Sequence, residues 1–307
     1  MRILVTGKKG QVVTAVRARV ESSPQHECIC LGRPELDLTR PDEVRAQIID
    51  HRPDVVINAA AWTDVDAAET AVEEAYQINA AGAASVAAAA QACQAPILHL
   101  STDYVFSGEQ EAPYREVDDP DPRTVYGASK WAGEERVAKA NPRHVILRTA
   151  WIYSATGKNF LKTMLKLAED REEINVVADQ RGTPTPAAAV ADGLLEIIET
   201  LHSEETTAEH YGVFHLTAAG QTNWATFADA IFTVSGERGG PVSRVRPIPT
   251  TAFPTSAKRP KNSVLDCRKI QQVYGVRLDN WSSYLEQTVQ AVLVAAEGGR
   301  DRLWTTL

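Results

Sequence analysis

Residues 2–13 read RILVTGKKGQVV, in which an apolar run is followed by a glycine-containing turn and a second apolar run. We predict a strand over Arg2–Thr6, because a run that is apolar along almost its whole length suits a strand buried on both faces of a parallel sheet. Gly7 and Gly10 then lie at the turn into a helix, whose first N–H groups can bind a pyrophosphate. Glycine suits this turn because a Cβ atom would hold the phosphate away. By itself, the Gly-x-x-Gly pattern also fits an ordinary turn.

Similar strands are predicted at regular intervals after the first. They span Cys28–Leu31, Val55–Asn58, Ile97–Ser101 and Val145–Arg148. Helical patterns separate them over Val12–Val20, Pro41–His51, Thr70–Cys93 and Ala128–Ala140. Strands and helices that alternate in this way predict an α/β fold with a Rossmann-like, doubly wound parallel sheet.

The regular alternation ends near the middle of the chain. We expect residues 1–150 to form an NAD(P)-binding Rossmann domain, to which residues 172–202 return with a helix over Ala187–Leu201. Residues 151–171 and 203–307 are expected to form a smaller C-terminal α+β region that binds substrate. Residues 241–262 hold five of the 16 prolines, which interrupt both helices and strands.

The composition limits the partners of the chain. Its 307 residues include 32 Lys or Arg and 40 Asp or Glu, so the formal net charge is −8. Nucleic acids and anionic membranes both require a broad cationic surface, so neither is expected as a partner. No apolar stretch reaches the ~20 residues needed to span a bilayer, and no signal peptide is recognised. The four cysteines include no C-x-x-C pair, and Cys28 and Cys30 would share one strand face as reduced thiols, which indicates a cytoplasmic protein.

The end of the second predicted strand bears on the choice of dinucleotide. NAD-selective sites usually have an acidic residue here that binds the ribose 2′-hydroxyl. This chain has Gly32 and Arg33 instead, and an arginine suits a 2′-phosphate, so we predict NADPH as the cofactor, with NADH also possible. The alternative is that Arg33 is a solvated loop cation. Asp37 and Leu38 lie where a loop can pack on adenine, and the small residues after Asn58 would let the cofactor approach the backbone.

Tyr126 and Lys130 form a Tyr-x-x-x-Lys pattern. Positions four apart on a helix share a face, so both groups can point at one site. A free tyrosine has a pKa near 10, and we expect the neighbouring ammonium to lower it by favouring the phenolate. Thr102 follows a predicted strand, where its hydroxyl can polarise a carbonyl. The order of glycine turn, Thr and Tyr-x-x-x-Lys is that of the short-chain dehydrogenases/reductases, and a structural Tyr/Lys pair on the surface is the alternative.

The candidate residues therefore fall into two sets. The predicted catalytic residues are Thr102, Tyr126 and Lys130. The predicted cofactor-binding residues are Gly7, Gly10, Gln11, Val12, Arg33, Asp37, Leu38, Ala61, Trp62, Thr63, Tyr126 and Lys130.

Longer motifs surround these residues over most of the chain. They are Asn58-Ala59-Ala60-Ala61-x-Thr63-x-Val65-Asp66-x-Ala68-Glu69, Ser101-Thr102-Asp103-Tyr104-Val105-Phe106, Val125-Tyr126-Gly127-x-x-Lys130-x-Ala132-Gly133-Glu134, Arg148-Thr149-x-Trp151-x-Tyr153, Asn159-Phe160-x-x-x-Met164, Asp179-Gln180-x-Gly182-x-Pro184-Thr185 and Arg259-Pro260-x-Asn262-Ser263. Together with Gly7-Lys8-x-Gly10-Gln11-Val12, they resemble the signatures of the dTDP-4-dehydrorhamnose reductase family.

The resemblance implies an NAD(P)H-dependent reduction. The C4 ketone of dTDP-4-dehydro-β-L-rhamnose, a dTDP-4-dehydro-6-deoxy-L-hexose, would be reduced to give dTDP-L-rhamnose. Tyr126 would protonate the oxyanion, Thr102 would hydrogen-bond O4, and Lys130 would hold the nicotinamide ribose. By the same resemblance, Asp103 and Trp151 would contact the sugar, and the protein would form a homodimer.

A basic cluster near the C-terminal end completes the expected substrate site. Its sequence, Lys258-Arg259-Pro260-Lys261-Asn262, suits a clamp for a diphosphate or nucleotide, with Arg259 and Asn262 as substrate-binding residues. A solvated basic loop is the alternative. Two positions depart from the family: Val13 stands where a glycine is usual, and Ala15 stands where some members carry an acid that helps to bind Mg²⁺. We therefore assign no metal site.

Three other functions are compatible with parts of this pattern. Related reductases act on other dTDP-4-keto-6-deoxy sugars. A sugar-nucleotide epimerase or 4,6-dehydratase is a second possibility, although Tyr104 stands where dehydratases carry a glutamate. A non-catalytic binding subunit, like the β subunit of methionine adenosyltransferase, is the third, and the intact Thr102, Tyr126 and Lys130 argue against it.

Overall fold

A computed structural model describes residues 1–23, 25–203 and 206–297. Its first half contains β1 (Arg2–Thr6), α1 (Gln11–Glu21), β2 (Glu27–Leu31), α2 (Pro41–His51), β3 (Val55–Asn58), α3 (Val65–Ala68), α4 (Val72–Tyr76), α5 (Ala83–Ala92), β4 (Ile97–Thr102), α6 (Val125–Ala140) and β5 (His144–Thr149). Its second half contains β6 (Ile152–Tyr153), α7 (Phe160–Leu167), β7 (Glu173–Val177), β8 (Arg181–Gly182), β9 (Thr185–Pro186), α8 (Ala187–Leu201), β10 (Gly212–His215), β11 (Thr222–Asn223), α9 (Trp224–Glu237), β12 (Arg244–Ile248), α10 (Arg268–Tyr274) and α11 (Leu285–Glu297).

The centre of the molecule is a six-stranded sheet in the order β2-β1-β3-β4-β5-β10. Every neighbouring pair in it is parallel, which confirms the predicted Rossmann-like, doubly wound architecture. The chain passes from β1 to β2 on one side and returns to β3 on the other. In open α/β sheets, ligands bind at the carboxyl ends of the strands beside such a switch point.

Both faces of this sheet are buried, as the apolar strand sequences predict. Ile3 and Val5 pack in the cluster that includes residues of α1 and α8, whereas Leu4 packs in the cluster that includes residues of α2 and α5. Successive strand residues point to opposite faces, so an unbroken apolar run is needed to fill both clusters.

One predicted helix is divided in the structure. The expected helix over Thr70–Cys93 consists of α4, a π-helical segment over Gln77–Gly82, and α5. The widened segment buries Asn79 and brings Gly82 against Leu38, where a Cβ atom on the glycine would lie 2.7 Å from Leu38 Cβ. π-Helical segments are frequent at functional sites, and this one adjoins the expected cofactor site.

The expected division of the chain needs two corrections. β10 belongs to the central sheet beside β5, contrary to the expectation for residues 203–307. Phe214 of this strand and Ile270 of α10 are buried in the same cluster as α8, so these elements cover the β5 side of the sheet. In residues 172–202, α8 does return to pack on α1, but β7 pairs with β12 instead. Residues 298–307 of the expected substrate region lie outside the described residues.

The smaller region has a core of its own. It is built from α7, α9 and α11 around the β7–β12 pair. Aromatic rings occupy its centre, with Phe227 in contact with Tyr153, Phe160 and Trp281. The chain enters this region from the carboxyl end of β5. Residues of the region can therefore lie near the carboxyl end of the sheet.

Two kinds of feature are absent from the described ranges. No helix there combines the length and apolarity needed to cross a membrane. No three or more His, Cys, Asp or Glu side chains there are grouped so that they could hold a metal ion.

A buried ion pair ties α6 to the sheet. Arg148 on β5 donates from Nη2 to Glu134 Oε2 at 2.7 Å and from Nε to Oε1 at 3.0 Å. Both side chains are only 4% exposed, and Ser101 on β4 donates a further hydrogen bond to Glu134. The guanidinium also lies over the Phe106 ring, 4.9 Å from its centroid. One helix and two strands therefore meet at a single carboxylate.

We expect Arg148→Ala to lower the free energy of unfolding by about 3–5 kcal/mol, because it leaves Glu134 unpaired in the interior. Arg40→Ala breaks an exposed pair with Glu43 and should cost less than about 1 kcal/mol. Urea denaturation followed by circular dichroism measures both changes. Losses of equal size would show that the buried pair does not anchor α6.

Candidate active site

The glycine turn after β1 forms a cradle at the start of α1. Gly7 has φ +105°, a conformation that favours glycine, and its N–H donates to Leu31 O at 2.6 Å. Val13 is buried beneath the turn, and its Cγ2 lies 3.1 Å from the position that a Cβ atom on Gly7 would take. The Val13 side chain therefore fills the space that a glycine at position 13, as is usual in the family, would leave. Gly10 caps α1 without any side-chain hydrogen bond. The first N–H groups of α1 therefore fit the pyrophosphate of a dinucleotide.

Gln11 links this cradle to the second half of the chain. Its Oε1 accepts hydrogen bonds from Ser154 Oγ at 2.9 Å and from Asn159 Nδ2 at 3.0 Å. Gln11 thus has a structural role through its side chain, while its backbone N–H belongs to the first turn of α1. The predicted Val12 follows it in that turn and is buried.

The end of β2 packs on the same turn. A Cβ on Gly32 would lie 3.3 Å from Gly7 Cα, and Arg33 is exposed beyond it, with no ion pair of its guanidinium among the described residues. Asp37 accepts hydrogen bonds from the N–H and hydroxyl of Thr39, which lower the pKa of its carboxyl. Leu38 is buried in the cluster with α2 and α5, so its side chain contributes to the core. Of the predicted residues here, Arg33 is the one most accessible to a ligand.

The strip after β3 is held by two buried polar side chains. Thr6 Oγ1 donates to Asn58 at 2.7 Å and accepts from the N–H groups of Ala59 and Ala60. These bonds fix the backbone that leads into the predicted cofactor residues Ala61, Trp62 and Thr63.

Asn79 of the π-helical segment holds the same strip from the other side. Its Oδ1 accepts from Trp62 N–H at 2.8 Å, and its Nδ2 donates to Trp62 O at 3.1 Å and to Ser129 Oγ at 3.0 Å. Ser129 lies on α6 between Tyr126 and Lys130. Asn79 therefore joins the cofactor strip to the predicted catalytic helix. The sequence signal for this role is a polar residue within an otherwise apolar predicted helix. From the sequence alone we assigned Asn79 no role.

The predicted catalytic residues converge at the carboxyl end of β4. Tyr126 lies in the first turn of α6, and the Thr102 hydroxyl is near enough to its hydroxyl to lower the Tyr126 pKa. Lys130 lies one turn further on and is buried, with its Nζ donating to Leu100 O at 2.6 Å. The three side chains therefore stand on two adjoining elements at one edge of the sheet.

The pKa of Tyr126 differs from the expectation. Burial of the hydroxyl raises this pKa to about 12, and the nearby Thr102 hydroxyl offsets the rise only partly. Burial also lowers the pKa of the Lys130 ammonium to about 8, against the opposing charge of Glu134. The predicted lowering of the Tyr126 pKa by Lys130 is wrong for this structure, because the ammonium is held by the Leu100 carbonyl and loss of hydration dominates. Tyr126 is thus a protonated phenol at neutral pH, able to donate a proton.

Asp103 and Arg259 each bring an unsatisfied polar atom to the site. Asp103 Oδ1 accepts from the Thr102 hydroxyl at 3.1 Å, whereas its buried Oδ2 has no partner in the described part of the chain. Arg259 lies near Tyr104, where its charge opposes the rise in the Tyr104 pKa, and the Tyr104 ring packs edge-on against Tyr126 at 5.6 Å. Its buried Nη1 likewise has no partner there. Buried polar atoms are normally paired, so these two suit a polar ligand.

Trp151 is held in a strained conformation beside the site. Its φ of +50° lies in the left-handed region, which is uncommon for a residue other than glycine. The indole stacks on Trp224 with centroids 3.5 Å apart, and a Cβ on Gly182 would lie 2.3 Å from it. Strain of this kind is maintained by packing and is concentrated at functional sites.

Most of the expected basic clamp is engaged within the chain. Lys258 and Lys261 both pair with Glu109 on the surface. Asn262 is buried, and its amide donates to the carbonyls of Gln110 and Ala112 while its Oδ1 accepts from the Val264 N–H. These partners favour a structural role for Asn262 over the expected contact with substrate. Arg259 is the member of the cluster that reaches Tyr104.

Asp66 of α3 and Glu69, which follows this helix directly, have roles that the sequence did not reveal. Asp66 accepts hydrogen bonds from the Ala257 N–H at 2.9 Å and from Arg259 Nη2 at 2.5 Å. Glu69 accepts from the Val125 N–H at 2.9 Å, one residue before Tyr126. α3 follows the cofactor strip directly, so one short helix contacts both the Arg259 loop and the start of α6. Both acids lie in a motif quoted above, but the motif alone says nothing about their partners.

The arrangement defines a class of enzyme. A tyrosine and lysine on one helix, beside a strand-end threonine and a dinucleotide-type turn, place the chain among the short-chain dehydrogenases/reductases. The model of the family described as RmlD substrate binding domain matches residues 1–294. With the relatives given below, this match shows that the chain belongs to the dTDP-4-dehydrorhamnose reductase family.

The relatives cover almost the whole chain. A dTDP-4-dehydrorhamnose reductase of Sinorhizobium fredii (strain NBRC 101917 / NGR234) is 43% identical over 294 residues, which are 96% of this chain and 98% of that protein. One of Burkholderia thailandensis is 44% identical over 286 residues, 92% of this chain and 95% of that protein.

Solved structures agree with this membership. A dTDP-4-dehydrorhamnose reductase from Clostridium acetobutylicum ATCC 824 has a TM-score of 0.88 at 37% identity, covering 95% of this chain and 100% of that one. The dTDP-4-dehydrorhamnose reductase from Bacillus anthracis str. Ames, solved in complex with NADP, has a TM-score of 0.86 at 35% identity, covering 94% of this chain and 98% of that one.

The buried Asp103 should make stability depend on pH. Burial raises its pKa from the ordinary 3.8 to about 6, so the folded protein holds this proton more tightly than the unfolded chain. Ionisation of Asp103 therefore lowers stability as the pH rises from about 4 to 7, by up to about 3 kcal/mol. We expect Asp103→Asn to gain stability relative to the wild type over this range, measured by urea denaturation at several pH values. A difference that does not change with pH would contradict the raised pKa.

Proposed function

We propose that the protein reduces the C4 ketone of dTDP-4-dehydro-β-L-rhamnose to give dTDP-L-rhamnose, with NADPH as the preferred reductant and NADH as a second one. The observation that carries this proposal is the convergence of Thr102, a protonated Tyr126 and Lys130 at the carboxyl edge of the sheet. The names of the similar proteins from S. fredii and B. thailandensis support the same reaction.

The proton chemistry follows from the surroundings of Tyr126. When bound, NADPH supplies the hydride that the ketone carbon receives. Negative charge then develops on O4, where the phenol of Tyr126 donates its proton and the Thr102 hydroxyl donates a hydrogen bond. A pKa of about 12 keeps the phenol protonated at neutral pH, so it acts as the general acid of a reduction. Lys130 offers ammonium protons to the ribose hydroxyls.

The residues of the first βα turn fit the cofactor. The uncapped N–H groups after Gly10 would bind the pyrophosphate, and the left-handed Gly7 leaves room for it. The exposed guanidinium of Arg33 would meet the 2′-phosphate. The Asn79-held strip with Ala61, Trp62 and Thr63 would line the opposite side of the cofactor.

The substrate would bind on the side of the smaller region. Asp103 Oδ2 and Arg259 Nη1 are the buried polar atoms available for the sugar and the diphosphate. The indole of Trp151 would pack against the deoxysugar. Asn262 would act indirectly, by holding the loop of Gln110 and Ala112.

Incubation with the keto-sugar nucleotide and NADPH, followed by NMR of the product, tests the proposal. We expect stoichiometric NADPH oxidation and dTDP-L-rhamnose as the product. A different C4 configuration would assign the enzyme to another dTDP-4-keto-6-deoxy sugar. No net oxidation would favour an epimerase, a dehydratase or a binding subunit. Burial raises the pKa of Tyr104 well above its ordinary value, so this residue is poorly suited to the role of a dehydratase's second acid.

We further propose that the enzyme works as a homodimer in the cytoplasm. The four cysteines are all free thiols, which suits a reducing compartment. The family resemblance supports the dimer. Sedimentation equilibrium of the purified chain tests it, and a monomer at micromolar concentration would remove this part of the proposal.

Tyr126→Phe should lower kcat by about 10²–10⁴-fold while NADPH binding, measured by fluorescence titration, is retained, because only the proton donor is lost. Tyr104→Phe is the matched control: its ring packs against Tyr126, but its hydroxyl has no role in the proposed proton transfer, so the variant should keep most of the turnover. Near wild-type turnover in Tyr126→Phe would contradict the acid role.

Arg33→Ala should weaken NADPH binding by about 10–100-fold and leave NADH binding unchanged, because only the 2′-phosphate loses a charged donor. Arg45→Ala, an exposed change on α2, serves as the control. The ratio of the KM values for the two dinucleotides measures the effect. An unchanged ratio would remove Arg33 from the cofactor site.

Glu69→Ala should reduce kcat by about 3–30-fold, because the first turn of α6 loses a backbone acceptor worth roughly 0.5–2 kcal/mol and Tyr126 moves with that turn. Glu69→Gln keeps an acceptor oxygen and should restore most of the activity. Glu74→Ala, exposed on α4, should have no effect. Equal activity in all three variants would show that Glu69 does not position Tyr126.

A further inference from the structure

Two cysteines of β2 form a close pair that the reaction does not use. Cys28 and Cys30 occupy alternate positions of the strand, so both side chains point to the α1 side of the sheet. Their sulfur atoms are 3.5 Å apart, and both thiols are free and only partly buried. The pair is therefore accessible from solvent and arranged as a vicinal dithiol.

The surroundings of the pair favour one thiolate. The hydrogen bond between the two thiols lowers the pKa of Cys30 to about 7, against the effect of burial, and the positive charge of Arg17 on α1 adds to the lowering. The same hydrogen bond raises the pKa of Cys28, which keeps its proton. Glu21 on α1 opposes the thiolate, but its effect is smaller than that of Arg17 at Cys30. Near neutral pH the pair can thus present one nucleophilic sulfur beside one thiol.

The geometry suits a bridging atom better than a disulfide. Cβ atoms two residues apart on an extended strand are about 6.6 Å apart, whereas a disulfide needs about 3.8 Å, so oxidation would bend β2. A tetrahedral ion with bonds of about 2.3 Å to sulfur would set the two sulfurs about 3.8 Å apart. Trivalent arsenic is soft and pyramidal, with bond angles closer to a right angle, and this draws the sulfurs nearer to the observed separation.

We propose that Cys28 and Cys30 form a binding site for trivalent arsenicals. Each thiol replaces one hydroxyl of an organoarsonous acid, so two As–S bonds form, two As–O bonds break and two water molecules leave. Arsenic stays trivalent and neither sulfur is oxidised, so no further reactant is needed.

Binding of an arsenical to Cys28 and Cys30 should also affect the glycine turn after β1, which would bind the cofactor. Among the described residues β2 is an edge strand that pairs with β1 alone, and the residue after Cys30 is Leu31, whose carbonyl accepts the Gly7 N–H. Gly32 packs directly on the same turn. A bridge between the two sulfurs constrains the strand end that supports Gly7, and it should weaken NADPH binding. This second effect, unlike the capture itself, rests on the proposed function.

Titration of the full-length protein with phenylarsine oxide tests the capture. We expect one equivalent to bind and two thiols to disappear when the remaining thiols are counted under denaturing conditions. Cys28→Ser and Cys30→Ser should each weaken binding at least tenfold, whereas Cys93→Ser and Cys267→Ser, which change the two other cysteines of the chain, should bind as the wild type does. Far-UV circular dichroism checks that all four variants are folded. A dithiol such as 2,3-dimercaptopropanol should reverse the binding, and a monothiol should not.

Several results would overturn the proposal. Equal binding by the Cys28→Ser variant and the wild type would exclude the pair as the site. Loss of two thiols without added arsenic in the intact mass would identify a disulfide instead. The link to the cofactor is measured separately by NADPH fluorescence titration, in which we expect at least threefold weaker binding to the arsenic-bound protein. Unchanged NADPH affinity would refute that link, and failure of the protein to bind NADPH at all would refute the proposed function while leaving the thiol count valid.

Discussion

The contact between Glu134 and Arg148 in the interior determines where α6 stands. Two opposite charges removed from water are costly to separate, so α6 cannot slide along the sheet without breaking this pair. Lys130 lies one turn before Glu134 and Tyr126 lies two turns before it, on the same side of the helix. The close approach of Gly133 to the Asn79 carbonyl fixes the helix from a second direction, since any side chain there would collide with it. The position of the phenol is therefore set by a polar contact about 12 Å along the helix from it.

The other end of α6 is fixed by α3. Glu69 supports its first turn, and Asp66 holds the loop that carries Arg259. α3 follows shortly after Ala61, Trp62 and Thr63 in the chain. The groups that would contact the dinucleotide, the reacting carbonyl and the diphosphate are therefore all positioned by this short helix and the residues on either side of it. A displacement of any one of them has to be accommodated by the others.

The sequence predicted the fold well, and it pointed to a Tyr/Lys pair on one helix, because both inferences depend on local patterns. Apolar runs define strands such as Arg2–Thr6, and the four-residue spacing of Tyr126 and Lys130 is a property of any helix. Features that depend on distant contacts were not predictable. β10 has a short sequence that joins the central sheet as an edge strand because β5 offers it a free edge, and the π-helical turn places Asn79 within hydrogen-bond reach of Trp62. The pKa of Tyr126 depends on how much water surrounds its hydroxyl, and no spacing of residues encodes that quantity.

Trp151 shows how chemistry and selectivity are divided in this molecule. Its backbone leaves β5, yet its unusual dihedral angle is held by stacking on Trp224 and by the absence of a side chain at Gly182, both contributed by the second half of the chain. The indole surface that a hexose would contact is thus positioned by Trp224 and Gly182, which need not contact the sugar themselves. Divergence among sugar reductases can then proceed through such supporting positions, leaving the proton donor and the dinucleotide cradle as they are.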